Sequence, residues 1–120
     1  MSLILKGGKI VSDKITYFSD IKVDGGKIVE IGGNIESKDC EIVDVSGSYI
    51  IPGGIDTHTH FDLDTGTTIT ADDFISGTKA AIAGGTTTIL DFATQSKGKS
   101  LNAGLEEWHH KARNKAYCDY

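Results

Sequence analysis

The chain has 120 residues, enough for one ordinary domain of ~100–150 residues, and its 38% apolar and 24% charged residues argue against a disordered chain. The net charge of −5 comes with lysines spread singly along the sequence, which excludes the concentrated basic face a nucleic-acid binder needs. No apolar run approaches the ~20 residues of a membrane span, and Lys6 interrupts Leu3-Ile4-Leu5 too early for a secretory leader. The expected compartment is the cytoplasm, with Cys40 and Cys118 as two reduced thiols that lack metal-type spacing.

Up to Pro52 the sequence predicts short strands with no helical period. Leu3 to Val11 is apolar-rich, and Asp20 to Asp24 and Lys27 to Ile31 alternate with period two on either side of Gly25-Gly26. Glycine supplies the positive φ of a tight hairpin turn, so this pattern predicts a hairpin. Glu41 to Val45 is a further strand, and the whole reads as a small antiparallel unit. Residues 1–52 therefore form the first expected domain.

From residue 53 the grammar changes. Tyr49 to Thr57 carries a strand core, and Thr70 with Asp73 three residues on predicts a capped helix start. Phe74, Thr78, Ala81 and Ile82 recur at helical spacing until Gly84-Gly85 stops the helix. Thr86 to Phe92 is β-branched and strand-like. A second helix follows with Leu101, Leu105, Trp108 and Ala112 on one face, and Ala116 to Tyr120 begins another strand. Strand–helix–strand–helix–strand predicts an α/β fold with a parallel sheet. Such a sheet is buried on both faces, which three strands and two helices do poorly. Residues 53–120 are thus expected to be an incomplete domain in a truncated chain. A closed barrel takes about 250 residues.

The chemistry concentrates in Pro52-Gly53-Gly54-Ile55-Asp56-Thr57-His58-Thr59-His60-Phe61. Two residues apart in a strand, His58 and His60 share a face and lie roughly 6.5–7 Å apart along the chain. From there both imidazoles can reach one ion at ~2.0–2.1 Å. An isolated His-x-His also fits two partly exposed polar side chains. Its place at the end of the first strand of the β/α series favours metal ligands, because barrel active sites gather at the carboxyl ends of the strands. Asp56 either orients an imidazole or faces solvent. Asp91 either faces the same mouth or bonds a nearby loop. Thr94, Gln95 and Ser96 follow on the loop above that strand and are candidate pocket-lining residues. His109 and His110, adjacent on a helix, point about 100° apart and cannot share a metal as an i, i+4 pair does. Trp108 reads as core packing.

The segment from Pro52 to Phe61 resembles the opening barrel strand of the metal-dependent amidohydrolases, specifically the dihydropyrimidinase and hydantoinase group. The likeness continues through Thr70 to Phe74, Ser76 to Ala81, Gly84 to Phe92, Glu107-Trp108-His109, Lys115-Ala116 and Cys118-Asp119-Tyr120. Residues 1–49 match more loosely. The resemblance implies the start of a (β/α)8 TIM-type barrel preceded by strands of a small β-sandwich. It implies a zinc-dependent hydrolase that opens hydantoin or dihydropyrimidine rings, small cyclic ureides or amides, to N-carbamoyl amino acids. Two zinc ions per subunit, bridged by a carboxylated lysine, would take His58 and His60 as ligands. The lysine, two later histidines and a proton-shuttling aspartate would all follow Tyr120. No catalytic residue beyond the two ligands is then expected within residues 1–120, and the isolated segment is expected to be inert. A homotetramer, with neither nucleic acid nor membrane as partner, is the expected assembly.

By the same resemblance, the loop after His60 closes over the substrate's ring substituent, with Leu63, Asp64 and Thr65 as its pocket residues. The group commonly carries a more apolar Met-Pro-Phe-like stretch there, which puts the substituent preference in question but leaves the reaction as implied. Three other readings compete. The collapsin response mediator proteins share the fold as non-enzymatic assembly proteins without the metal site, against which the intact His58 and His60 speak. Dihydroorotase and allantoinase are the related cyclic amidases, and dihydroorotase-like chains place an arginine soon after the His-x-His, whereas no arginine precedes Arg113 here. An independent 120-residue binding module is disfavoured by the incomplete sheet.

Overall fold

The computed structural model describes residues 2–120 and divides into two compact units, the first ending at Pro52 and the second beginning at Gly53. The first is a five-stranded sheet of β1 (Ser2–Val11), β2 (Thr16–Asp24), β3 (Lys27–Gly32), β4 (Glu41–Asp44) and β5 (Tyr49–Ile50). The β2–β3 hairpin turns at Gly25 and Gly26, whose φ values of 56° and 76° are those a two-residue hairpin loop demands. The sheet is mixed rather than antiparallel throughout. β1 pairs antiparallel with β2, but on its other edge it pairs parallel with β4 and then with β5. The partner change follows a bulge between Leu5 and Gly8, where Gly7 sits at φ 76°. Asp20, only 4% exposed, accepts from Gly7 N–H at 2.9 Å and Ile35 N–H at 3.0 Å. Those two N–H donors, with the Lys6 charge adding to them, hold its carboxyl below the usual carboxylate range.

The second unit pairs β6 (Gly54–Thr59) in parallel with β7 (Thr86–Asp91), with α1 (Phe74–Ala83) between them in sequence and α2 (Leu101–Ala112) after. The expected single strand from Tyr49 to Thr57 is therefore two strands in different sheets, broken at residues 51–53. Pro52 has no N–H to give a ladder and restricts the residue before it. The expected strand from Ala116 pairs at one point, Asp119, which bridges the free edge of β7 in parallel: Ile89 N–H donates to Asp119 O and Asp119 N–H to Thr87 O.

Helix α1 starts at Asp73, not Thr70. Asp73 accepts from Ile75 N–H and Ser76 N–H while Ser76 Oγ accepts from Asp73 N–H, a complete capping box. Thr70 is occupied elsewhere: its hydroxyl accepts from Leu63 N–H and its own N–H donates to Leu63 O. The core gathers Phe74, Ile89, Trp108 and Ala112, with Phe61, Leu63 and Ala81 packed against it. Each large apolar side chain buried this way contributes about 1.5–3 kcal/mol. The buried face of α2 is Gly104, Trp108 and Ala112; Leu101 at 75% and Leu105 at 48% exposure lie off it. Gly104 lies against the Gln95 and Thr94 backbone, where a Cβ would make ordinary contact at 3.4 Å. No helix among the described residues is long and apolar enough to cross a membrane.

Candidate metal centre

Strand alternation divides the end of the parallel pair into two faces. Ile89, Asp91 and Thr59 turn toward the helices, and Ile89 and Thr59 are buried. His58, His60 and Phe92 lie together on the other face, all exposed. There the Nε2 atoms of His58 and His60 are 3.1 Å apart and the ring centroids 5.0 Å apart at 70°. Two nitrogens each ~2.0–2.1 Å from one tetrahedral ion would be separated by ~3.3–3.4 Å. The observed spacing thus suits a shared cation within a small side-chain adjustment. A single proton also satisfies it, with one Nε2–H donating to the other ring. Neutral imidazole nitrogens are good donors to zinc, so the chemistry of the pair fits that metal. Among the described residues, no third His, Cys, Asp or Glu joins them.

Asp56 takes the second of the two alternatives: it is exposed and touches neither imidazole. Its Oδ1 accepts the backbone N–H of His58 at 3.1 Å, fixing the main chain rather than an imidazole. Asp91 takes the bonding alternative in full: it accepts from Thr59 Oγ1 at 2.8 Å, Phe61 N–H at 2.9 Å and Trp108 Nε1–H at 2.7 Å. Trp108 is core, as its place on the helix predicted, yet its polar edge is tied to the strand ends. That bond has no periodicity signal.

The loop residues form a separate arrangement. Leu63 packs against the core, while Asp64 and Thr65 are exposed. The loop closes on itself: Asp64 Oδ1 accepts from Gly66 N–H, and Thr65 Oγ1 donates to Thr68 O at 2.9 Å and accepts from Thr68 N–H at 3.2 Å. Its base is held by Lys111, whose Nζ donates to Asp62 O at 2.8 Å. Leu63 and Asp64 share a cleft of about 300 Å³ with Thr94, Ser96, Trp108 and Lys111. Neither His58 nor His60 lines it. Gln95 instead bonds Lys99 O. His109 is half-buried and His110 exposed on α2, and among the described residues neither joins the histidine pair in a metal-type cluster.

The sequence profile of the amidohydrolase family matches residues 49–113. Among curated proteins the chain is 48% identical to a D-hydantoinase of Geobacillus stearothermophilus over 100% of this chain and 26% of that protein. It is 44% identical to a dihydropyrimidinase of Dictyostelium discoideum over 99% of this chain and 24% of that protein. Among solved structures, the dihydropyrimidinase from Brevibacillus agri NCHU1002 superposes with a TM-score of 0.96 at 48% identity, covering 100% of this chain and 26% of that one. The chain spans about a quarter of the length of these relatives. On the family match, which takes in the histidine pair and both helices, the chain belongs to the amidohydrolase family, and its likeness within that family is to the hydantoinases and dihydropyrimidinases.

Proposed function

We propose that this chain supplies the first two metal ligands, His58 and His60, of a cyclic amide hydrolase that opens hydantoin or dihydropyrimidine rings to N-carbamoyl amino acids. The observation that carries the reading is the 3.1 Å approach of the two Nε2 atoms at the carboxyl end of a parallel strand, in a chain whose relatives are named for those substrates. The order β6–α1–β7–α2, followed by the parallel bridge of Asp119 on the far edge of β7, supports the opening of a (β/α)8 barrel. Its active site gathers at that end of the strands. The strands of the first unit would belong to a small β-sandwich.

In the full-length protein His58 and His60 would hold zinc, and by the family likeness a carboxylated lysine and further ligands from outside residues 1–120 would complete a two-zinc centre. When bound, the metal supplies Lewis acidity toward a ring carbonyl and brings the pKa of water toward ~7. The residues of this chain supply two neutral imidazole donors and an aromatic wall, Phe92, against both rings. Residues 63–65, on the loop that begins after His60, are the proposed selector of ring substituents.

The test uses the full-length protein. His58→Ala and His60→Ala each lose at least one metal per subunit by elemental analysis and no longer open dihydrouracil or hydantoin. Unchanged metal content in either variant refutes the assignment. A folded wild-type protein that takes up no zinc and turns over neither ring would favour the non-enzymatic reading instead.

A further inference from the structure

We propose that Asp91, backed by its neighbour Phe92, is the positioning residue that sets His60 against His58. The proposal rests on the reading of the two histidines as metal ligands. His60 lies one residue past the end of β6, and the pairing of β6 with β7 is irregular between Asp56 and Thr59. The last register pair is Thr59 with Asp91, so His60 itself lies beyond the ladder. The segment is held instead by Asp91, whose Oδ2 accepts from both Thr59 Oγ1 and Phe61 N–H, the residues on either side of His60. Its Oδ1 accepts from Trp108 Nε1–H, which anchors the carboxylate to the core. All three donors are met by one side chain at 2.7–2.9 Å.

Adjacent strand residues point to opposite faces, so Phe92 emerges on the histidine side. Its ring centroid lies 4.5 Å from that of His58 and 5.3 Å from that of His60, and its N–H donates to Thr59 O at 3.3 Å. The backbone of the second ligand is thus pinned from one face and its ring from the other. A half-buried carboxylate needed only for Trp108 would use one oxygen; here the second oxygen serves the two neighbours of His60. Groups that orient metal ligands commonly change metal affinity by about 10–100-fold when removed.

The experiment uses the full-length protein with zinc and, separately, cobalt(II) as the probe. Asp91→Asn replaces one acceptor oxygen with an amide that only donates, and Thr59→Val removes a single hydroxyl at nearly constant shape. Zinc affinity, read by chelator competition, falls about 10–100-fold in Asp91→Asn and by less in Thr59→Val. The cobalt absorption bands change in both variants, and Thr59→Ser restores affinity and spectrum. A stability role alone would lower the melting temperature and leave the cobalt spectrum as in the wild type. That result, with His58→Ala still losing metal, overturns the proposal and leaves the ligand assignment standing. If His58→Ala keeps its metal, the ligand assignment itself fails and takes this proposal with it. Thr59→Val decides by the same criteria should Asp91→Asn not fold.

Discussion

Gly77 stands at the fourth position of α1, and replacing it with alanine sets two effects of opposite sign against each other. In an exposed helix interior the change would stabilise by about 0.8–1.0 kcal/mol, because glycine loses more backbone freedom on folding. Gly77 is buried, however, and a Cβ there would lie 2.3, 2.6 and 2.7 Å from three atoms of the Phe61 ring. Carbon atoms pack at ~3.5–4.0 Å, so the ring must move by roughly an ångström. It has little room: Phe74 meets it edge-on at 5.6 Å, and its backbone N–H is held by Asp91. Overpacking of this kind costs about 1–3 kcal/mol, which outweighs the propensity gain, and Gly77→Ala should destabilise by about 1–2 kcal/mol. Urea unfolding of the full-length protein and hydrogen exchange of the α1 amides would read the change. In a Phe61→Ala background the clash is gone, and the same substitution should become stabilising by up to about 1 kcal/mol. A Gly77→Ala protein that unfolds at higher urea than the wild type, with Phe61 intact, would refute the reasoning.

Asp73→Ala removes the acceptor for Ile75 N–H and Ser76 N–H, and hydrogen exchange in the first turn of α1 should accelerate several-fold while the last turn is unchanged. Asp20 has its carboxyl held below the usual range by the Gly7 and Ile35 N–H groups. Its contribution is fully present above the unfolded value of about 3.9 and is lost as pH falls through the lower folded value. Asp20→Asn should therefore flatten the acid limb of stability against pH, and an unchanged acid limb in denaturant titrations would exclude that role. Thr65→Phe should raise kcat/KM for a bulky alkyl hydantoin more than for the unsubstituted ring, within the ~10–200-fold that apolar contacts supply. Parallel changes for both substrates would show that the loop does not select the substituent.

Elements specified within a few residues were legible in the sequence. The β2–β3 hairpin follows from Gly25-Gly26 and its flanking alternation, and α1 ends where Gly84 caps it and Gly85 takes φ 88°. The side-by-side placement of His58 and His60 is likewise local, since period two alone puts both on one face. Other features depend on groups distant in sequence. Thr70 and Asp73 are both competent helix caps, and only the closure of the 63–70 loop, which uses Thr70 for Leu63, leaves the cap to Asp73. The parallel pairing of β1 with β4 and β5 joins residues about forty positions apart, and no local pattern encodes it. On α2, leucine side chains suggested a stripe through Leu101 and Leu105. The structure instead turns Gly104, Trp108 and Ala112 inward, with Gly104 against the Thr94–Gln95 backbone. Asp91 shows the division most sharply. The sequence marks an acid at a strand end, but a hydrogen bond is directional and short, so its role was settled only when folding brought Thr59, Phe61 and Trp108 within 3 Å of one carboxylate.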